Sequence, residues 1–148
     1  MVDEKTFAHR AEVPERPRLV LADDDPVVLA MLGAQLRHAF DCVGVAGDAP
    51  SAIARVVEHK PDVVLLDVDM PRGGAKRATR EIRSGSPETA IVILSSQETA
   101  REVVELINDG AVAHLRKGVD SATLTTKLRV SISVHRQLDS GAGVKPTG

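Results

Sequence analysis

Five times along the chain a short apolar run is followed by a segment of helical period. The runs are RLVLA (18–22), CVGVA (42–46), DVVLLD (62–67), AIVILS (90–95) and VAHLRK (112–117). Each is too short for a stable helix and is built mostly of β-branched residues or Leu, the pattern of a buried strand. Strand–helix alternation of this kind defines an α/β fold with a parallel sheet, because parallel neighbours need a crossover and a helix supplies it. Right-handed crossovers place helices on both faces, so the strands read as continuous apolar runs without alternation.

The helical segments carry their own signals. The first has Asp25 as N-cap and Pro26 at its first position, with Val28, Met31, Leu32 and Leu36 on one face. The second is predicted over Pro50–His59, with Ile53, Val56 and Val57 inward and Pro61 as its stop. The third, 75–83, buries little beyond Ala78 and Ile82 and carries Lys76, Arg77, Arg80 and Arg83. The fourth has Ser96 as N-cap, Val103, Val104 and Ile107 inward, and Gly110 as its stop. The fifth runs from near Asp120 to about Leu138. Leu124, Leu128, Ile132 and His135 form its sheet-facing stripe. Val130, Val134 and Leu138 form a second stripe, which predicts a homodimer or partner contact through this helix.

Residues 1–17 are charged, contain Pro14 and Pro17 and lack periodicity, so they read as a flexible arm; residues 139–148 read as a flexible tail, leaving one domain over 18–138. The net charge of -2 gives no basic surplus for a nucleic-acid backbone, and no apolar stretch is long enough to span a bilayer. Cys42 is the single cysteine, which excludes an internal disulfide and fits a reducing cytoplasm. Core filling falls to Val, Ile, Leu, Ala and Met, with Phe7 and Phe40 the only aromatics.

In a parallel α/β sheet the ligand site lies outside the carboxyl ends of the strands. Those ends are where the polar residues sit. The first strand ends in Asp23-Asp24-Asp25, the third in Asp67, the fourth in Ser95-Ser96 and the fifth in Lys117, while the second carries no such group. Singly, each residue fits a cap, a turn or a solvated charge. Together they are a carboxylate cluster, a hydroxyl and an ammonium at one edge. Crowded carboxylates repel unless a cation neutralises them, and oxygen-only ligands suit a hard cation. With few protein ligands the ion keeps several waters, which favours Mg²⁺ over Ca²⁺. A carboxylate beside Mg²⁺, a Lys and a hydroxyl is suited to phosphoryl transfer with the carboxylate as nucleophile.

In this order, LVLADDDP, PDVVLLDVDMP, VILSS and GAVAHLRKG resemble the receiver domain of two-component response regulators over about residues 18–138. The resemblance implies a sheet order of 2-1-3-4-5 and Asp67 as phosphoacceptor. It implies Asp24 as a direct Mg²⁺ ligand, Asp23 acting mostly through water, and the backbone carbonyl of Asp69 completing the protein ligands. Ser95 and Lys117 take the places of the family's hydroxyl and lysine. The implied partners are a sensor histidine kinase or phosphotransfer protein and a downstream protein reached through the face of helix 4, strand 5 and helix 5. After Lys117 this sequence holds one more helix and a short tail, so a stand-alone receiver, or the receiver portion of a longer protein, is expected.

Departures from the family pattern set further expectations. The position three before the lysine, often an inward-turning aromatic, is His114, a smaller ring of the type that titrates near neutral pH and could make the switch pH-sensitive. Gly118 replaces the proline after the lysine, so the Lys117–Gly118 peptide is expected trans. Gly73-Gly74-Ala75 departs from the family's x-x-Asp-Gly, a change expected to loosen the loop and remove a glycine from the start of the third helix. Asp69 and Gln97 occupy positions that tune phosphoryl lifetime in the family. Two rivals stand beside this reading. LLDVD also resembles the nucleophile motif of haloacid-dehalogenase-type phosphatases, but that family places its metal-binding acids after the lysine, where this chain has only Asp120 and Asp139. The other is a pseudo-receiver that binds partners without phosphate.

Overall fold

The computed structural model describes residues 12–96 and 100–142, with side chains through 139. The strands β1 (Arg18–Ala22), β2 (Asp41–Ala46), β3 (Val63–Asp67), β4 (Ala90–Ser95) and β5 (Ala113–Arg116) form one parallel sheet in the order β2-β1-β3-β4-β5. The helices α1 (Pro26–Leu36), α2 (Ala49–His59), α3 (Gly74–Gly85), α4 (Ala100–Asp109) and α5 (Ser121–Ala142) alternate with them. Every residue of β3 and β4 is buried, as continuous apolar runs covered on both faces require. The edges differ: β2 buries only Ala46 fully, and β5 only Leu115.

The period of two splits the core into layers. Val20, Val64, Leu66, Ile91 and Ile93 pack on Ala52 and Val56 of α2, Ala78 and Ile82 of α3, and Leu106 of α4. Leu19, Leu21, Leu65, Val92 and Leu94 face the other way, onto Leu32 and Leu36 of α1, Phe40, and Leu124, Leu128 and Ile132 of α5. Full burial of each Val, Leu, Ile or Phe side chain among them is worth about 1.5–3 kcal/mol. Phe7 lies outside the described residues.

Caps and faces mostly follow the expectations. Asp25 caps α1, accepting from the Val27 N–H at 2.9 Å, with Pro26 at the first position. Asp48 caps α2 by accepting from the Ser51 N–H at 2.8 Å. Leu124, Leu128, Ile132 and His135 are all buried, and Val130, Val134 and Leu138 are exposed. Four apolar residues placed inward are instead exposed: Met31, Val57, Val104 and Ile107. The helices dock through narrower stripes, Ala49, Ala52 and Val56 on α2 and Leu106 on α4. A residue one position along is turned about 100° away. Helix α4 is described from Ala100, and the expected cap at Ser96 concerns a helix start that lies outside the described residues.

Both tails are more ordered where described than their composition suggested. The α5 helix continues to Ala142. Residues 12–17 are held by α5 and α1: Arg129 donates to the Pro14 and Glu15 carbonyls at 3.1 Å each, Arg136 to the Glu12 carbonyl, and Arg16 to the Arg37 carbonyl at 2.8 Å. Val13 packs on the core and Pro17 is buried, anchors that an aperiodic sequence does not advertise.

Candidate functional site: an acidic cluster at the strand ends

The carboxyl ends of β1, β3, β4 and β5 converge. Asp23 follows β1, and its backbone N–H continues the sheet pairing by donating to the Ala46 carbonyl at 3.0 Å. Its carboxylate is 1% exposed. One oxygen accepts from the Asp25 N–H at 2.9 Å, and the other, Oδ2, faces the Lys117 ammonium at 3.0 Å without an aligned hydrogen bond. Asp67, the last residue of β3, is 4% exposed, and its Oδ1 lies 3.1 Å from the same ammonium. Lys117 sits one residue past β5, fixed there by its N–H donating to the Ser95 carbonyl at 2.7 Å. Asp24 is exposed at the mouth.

Carboxylate oxygens of Asp23, Asp24 and Asp67 lie within 4.8 Å of one another. One lysine ammonium faces two buried carboxylates, so the cluster carries excess negative charge. Burial pushes the Asp67 carboxyl above its ordinary value and Asp23 repels it further; the hydrogen bond and charge of Lys117, and a bond from the Asp69 N–H, oppose the rise. Burial would lower Lys117, but the close approach and charge of Asp23 and Asp67 raise it instead. An oxygen-only donor set, surplus negative charge and a buried carboxylate oxygen lacking an aligned hydrogen bond fit a hard divalent cation.

Ser95 ends β4 and is 1% exposed. Its Oγ is hydrogen-bonded to His114 Nε2 across the β4–β5 pair at 2.5 Å. The sequence placed both residues near the site but gave no sign of this bond, which depends on ring orientation. Asp69 is exposed, and its backbone N–H is among the groups that favour the charged Asp67 carboxylate. Gln97 lies outside the described residues. Among those residues no peptide bond is cis, so Lys117–Gly118 is trans as expected, with Gly118 at φ +94°. The expectation for the third helix is corrected: it does begin on glycine. Gly73 is its N-cap and Gly74 its first residue, with Arg72, Gly73 and Gly74 all left-handed at φ +60°, +107° and +62°.

A doubly wound sheet in this order, with acids at the ends of β1 and β3 and a lysine after β5, defines a receiver-type module. The model for the response regulator receiver domain matches residues 19–129, and the chain belongs to that family of two-component signalling modules. It is 37% identical over 119 residues to the uncharacterized transcriptional regulatory protein YxjL of Bacillus subtilis, covering 79% of this chain and 55% of that protein. It is 32% identical over 135 residues to the transcriptional regulatory protein PdtaR of Mycobacterium tuberculosis, covering 90% and 64%. The chain therefore spans between half and two-thirds of these curated relatives. The signal receiver domain of NarL from Mycobacterium tuberculosis matches with a TM-score of 0.76 and 26% identity, over 80% of this chain and 98% of that one. The receiver domain of sensor histidine kinase PA1611 from Pseudomonas aeruginosa, a structure with magnesium in its active-site cleft, has a TM-score of 0.70 at 23% identity, over 79% and 98%. Receiver domains are generally signalling modules and not metabolic enzymes. Among the described residues no helix is long and apolar enough to cross a membrane.

Proposed function

We propose that the chain is a phosphorylation-driven switch that takes a phosphoryl group on Asp67 from a phosphohistidine of a sensor kinase or phosphotransfer protein. The observation that carries this reading is the burial of Asp67 at a strand end, 3.1 Å from Lys117 and grouped with Asp23 and Asp24. The Asp67 carboxylate attacks phosphorus, the P–N bond to the imidazole breaks, and the departing nitrogen is left neutral on an imidazole. Lys117 holds the transferred oxygens by charge. Asp24, Asp67 and the Asp69 carbonyl, with Asp23 through water, would hold Mg²⁺, which supplies further neutralisation of phosphoryl charge when bound. Catalysis is confined to the chain's own phosphorylation and dephosphorylation, with Asp69 and Gln97 tuning lifetime.

Phosphorylation draws Ser95 from His114 toward the new phosphoryl oxygens and so biases the face of α4, β5 and α5. Exposed Val104 and Ile107 on α4, and Val130, Val134 and Leu138 on α5, support a protein partner or a second copy there. Direct nucleic-acid binding is disfavoured, since Arg77 and Arg80 on the basic α3 are paired with Glu81 and Asp109. The receiver unit spans 18–138 between its two terminal segments and works in the cytoplasm.

The test is incubation with Mg²⁺ and acetyl phosphate, read by intact mass. A single phosphoryl adduct that is lost in Asp67→Asn is expected. No adduct in the wild type points to the pseudo-receiver, and sustained turnover of phosphate esters sinks the switch.

A further inference from the structure

The turn that leaves the phosphoacceptor is built unlike the rest of the site, on three successive left-handed residues, Arg72, Gly73 and Gly74. A non-glycine residue in that region is strained and persists only where its surroundings hold it. The surroundings here are specific. Arg77, one turn into α3, folds its stem back over Gly73, where an added Cβ would lie 2.7 Å from both Arg77 Cβ and Cδ. Its Nη1 donates to the Arg72 carbonyl at 3.2 Å, and its Nε is fixed by Glu81 at 2.7 Å. Two further bonds close the turn: the Ala75 N–H donates to the Val68 carbonyl, and the Ala49 N–H at the start of α2 donates to the Pro71 carbonyl, both at 3.2 Å. Between these clamped points lies Asp69, whose backbone N–H favours the charged form of the Asp67 carboxylate.

We propose that Arg77 is a positioning residue that holds the 68–74 turn in its left-handed form and thereby sets Mg²⁺ affinity and Asp67 reactivity. This rests on the reading of Asp67 as phosphoacceptor beside a metal whose ligands include the Asp69 carbonyl. Groups that orient metal ligands through one intermediary commonly matter to affinity as much as tenfold or more. Charge alone makes the opposite prediction, because removing a cation near an acidic cluster strengthens the binding of another cation. The sign of the effect therefore separates geometry from electrostatics.

The experiment titrates MgCl₂ into the full chain by calorimetry and follows acetyl-phosphate labelling by intact mass, for wild type, Arg77→Ala and Arg77→Gln. Arg80→Ala is the control: it removes the same charge from the same helix, at a side chain paired with Asp109 rather than with the turn. Arg77→Ala is expected to weaken Mg²⁺ by about tenfold and slow labelling to match, with Arg80→Ala near wild type. Arg77→Gln keeps most of the stem over Gly73 and is expected to weaken Mg²⁺ less; it carries the test if Arg77→Ala loses its helical circular dichroism. Mg²⁺ affinity in the folded Arg77 variants equal to or tighter than wild type overturns the proposal. A wild type that binds no Mg²⁺ and takes no phosphoryl group overturns the functional reading as well, which distinguishes the two failures.

Discussion

Lys117→Met removes the only ammonium facing two buried carboxylates, among the described residues, while keeping most of the stem volume. Breaking a buried ion pair by deleting one partner costs about 3–5 kcal/mol. Here the lysine side chain is 28% exposed, and Asp67 can take up a proton, so about 2–3 kcal/mol is expected near pH 8 without divalent metal. For a domain of this size that lowers Tm by about 10 °C. The pH dependence follows from Asp67. Its folded pKa is raised, so the folded state holds the proton more tightly than the unfolded chain. The stability this contributes is full below the unfolded carboxyl pKa and is lost as pH rises through the folded value. Deleting Lys117 removes two influences that lower Asp67 and moves that window upward. Lys117 itself stays charged through pH 5–8, because its pKa is raised. The mutational cost should therefore be larger at pH 8 than at pH 5. Urea denaturation followed by far-ultraviolet circular dichroism measures it, since the chain has no Trp or Tyr for fluorescence. A cost of the same size at both pH values would falsify the assignment of Lys117 as the counter-ion of this cluster.

Gly74→Ala puts a Cβ 2.9 Å from the Val68 carbonyl at a residue with φ +62°, so it should cost about 1–2 kcal/mol in the same assay; no measurable loss would mean the turn readily adopts another form. Mg²⁺ at a hundredfold excess over its dissociation constant should stabilise the wild type by about 2.7 kcal/mol, seen as a rise in Tm. Asp24→Asn should need a higher Mg²⁺ concentration for the same rise. The rise should also shrink as pH falls through the raised pKa of Asp67, because protons then compete with the metal. A protective effect unchanged by Asp24→Asn would place the metal elsewhere.

What the sequence showed and what it hid divide along physical lines. The central strands were legible because β3 and β4 are covered on both faces, which leaves them no polar position to confuse the pattern. The sheet face of α5 was legible because Leu124, Leu128 and Ile132 recur at intervals of four. Met31, Val57, Val104 and Ile107 were misplaced because an apolar residue beside a docking stripe looks the same in sequence as one within it. The α2 contact is made largely by Ala49 and Ala52, small residues whose burial comes from close approach to the sheet and not from conspicuous hydrophobicity. The Ser95–His114 bond and the Arg77 clamp were hidden for another reason: each depends on a rotamer choice between residues that the fold brings together.

The position of the acids has a topological cause. In the order β2-β1-β3-β4-β5, the chain leaves β1 toward β2 on one side and leaves β3 toward β4 on the other. The two connections diverge, so the crevice between the carboxyl ends of β1 and β3 is not filled by a crossing loop, and such switch points are where open α/β sheets bind ligands. Asp23 and Asp67 sit on its two walls, and the β1–β3 register, Ala22 opposite Leu66, places the next residue of each chain segment, Asp23 and Asp67, side by side. That explains why β2, an edge strand beyond the divergence, contributes no acid to the cluster. It also explains why a cation must come from across β4, where Lys117 is delivered by the Ser95 carbonyl. The carboxylates are held together by strands that cannot move apart without breaking the sheet, whereas their counter-charge sits in a loop. On the phosphoacceptor reading of Asp67, added phosphoryl charge meets two carboxylates held by adjacent strands and the one ammonium that faces both among the described residues, Lys117.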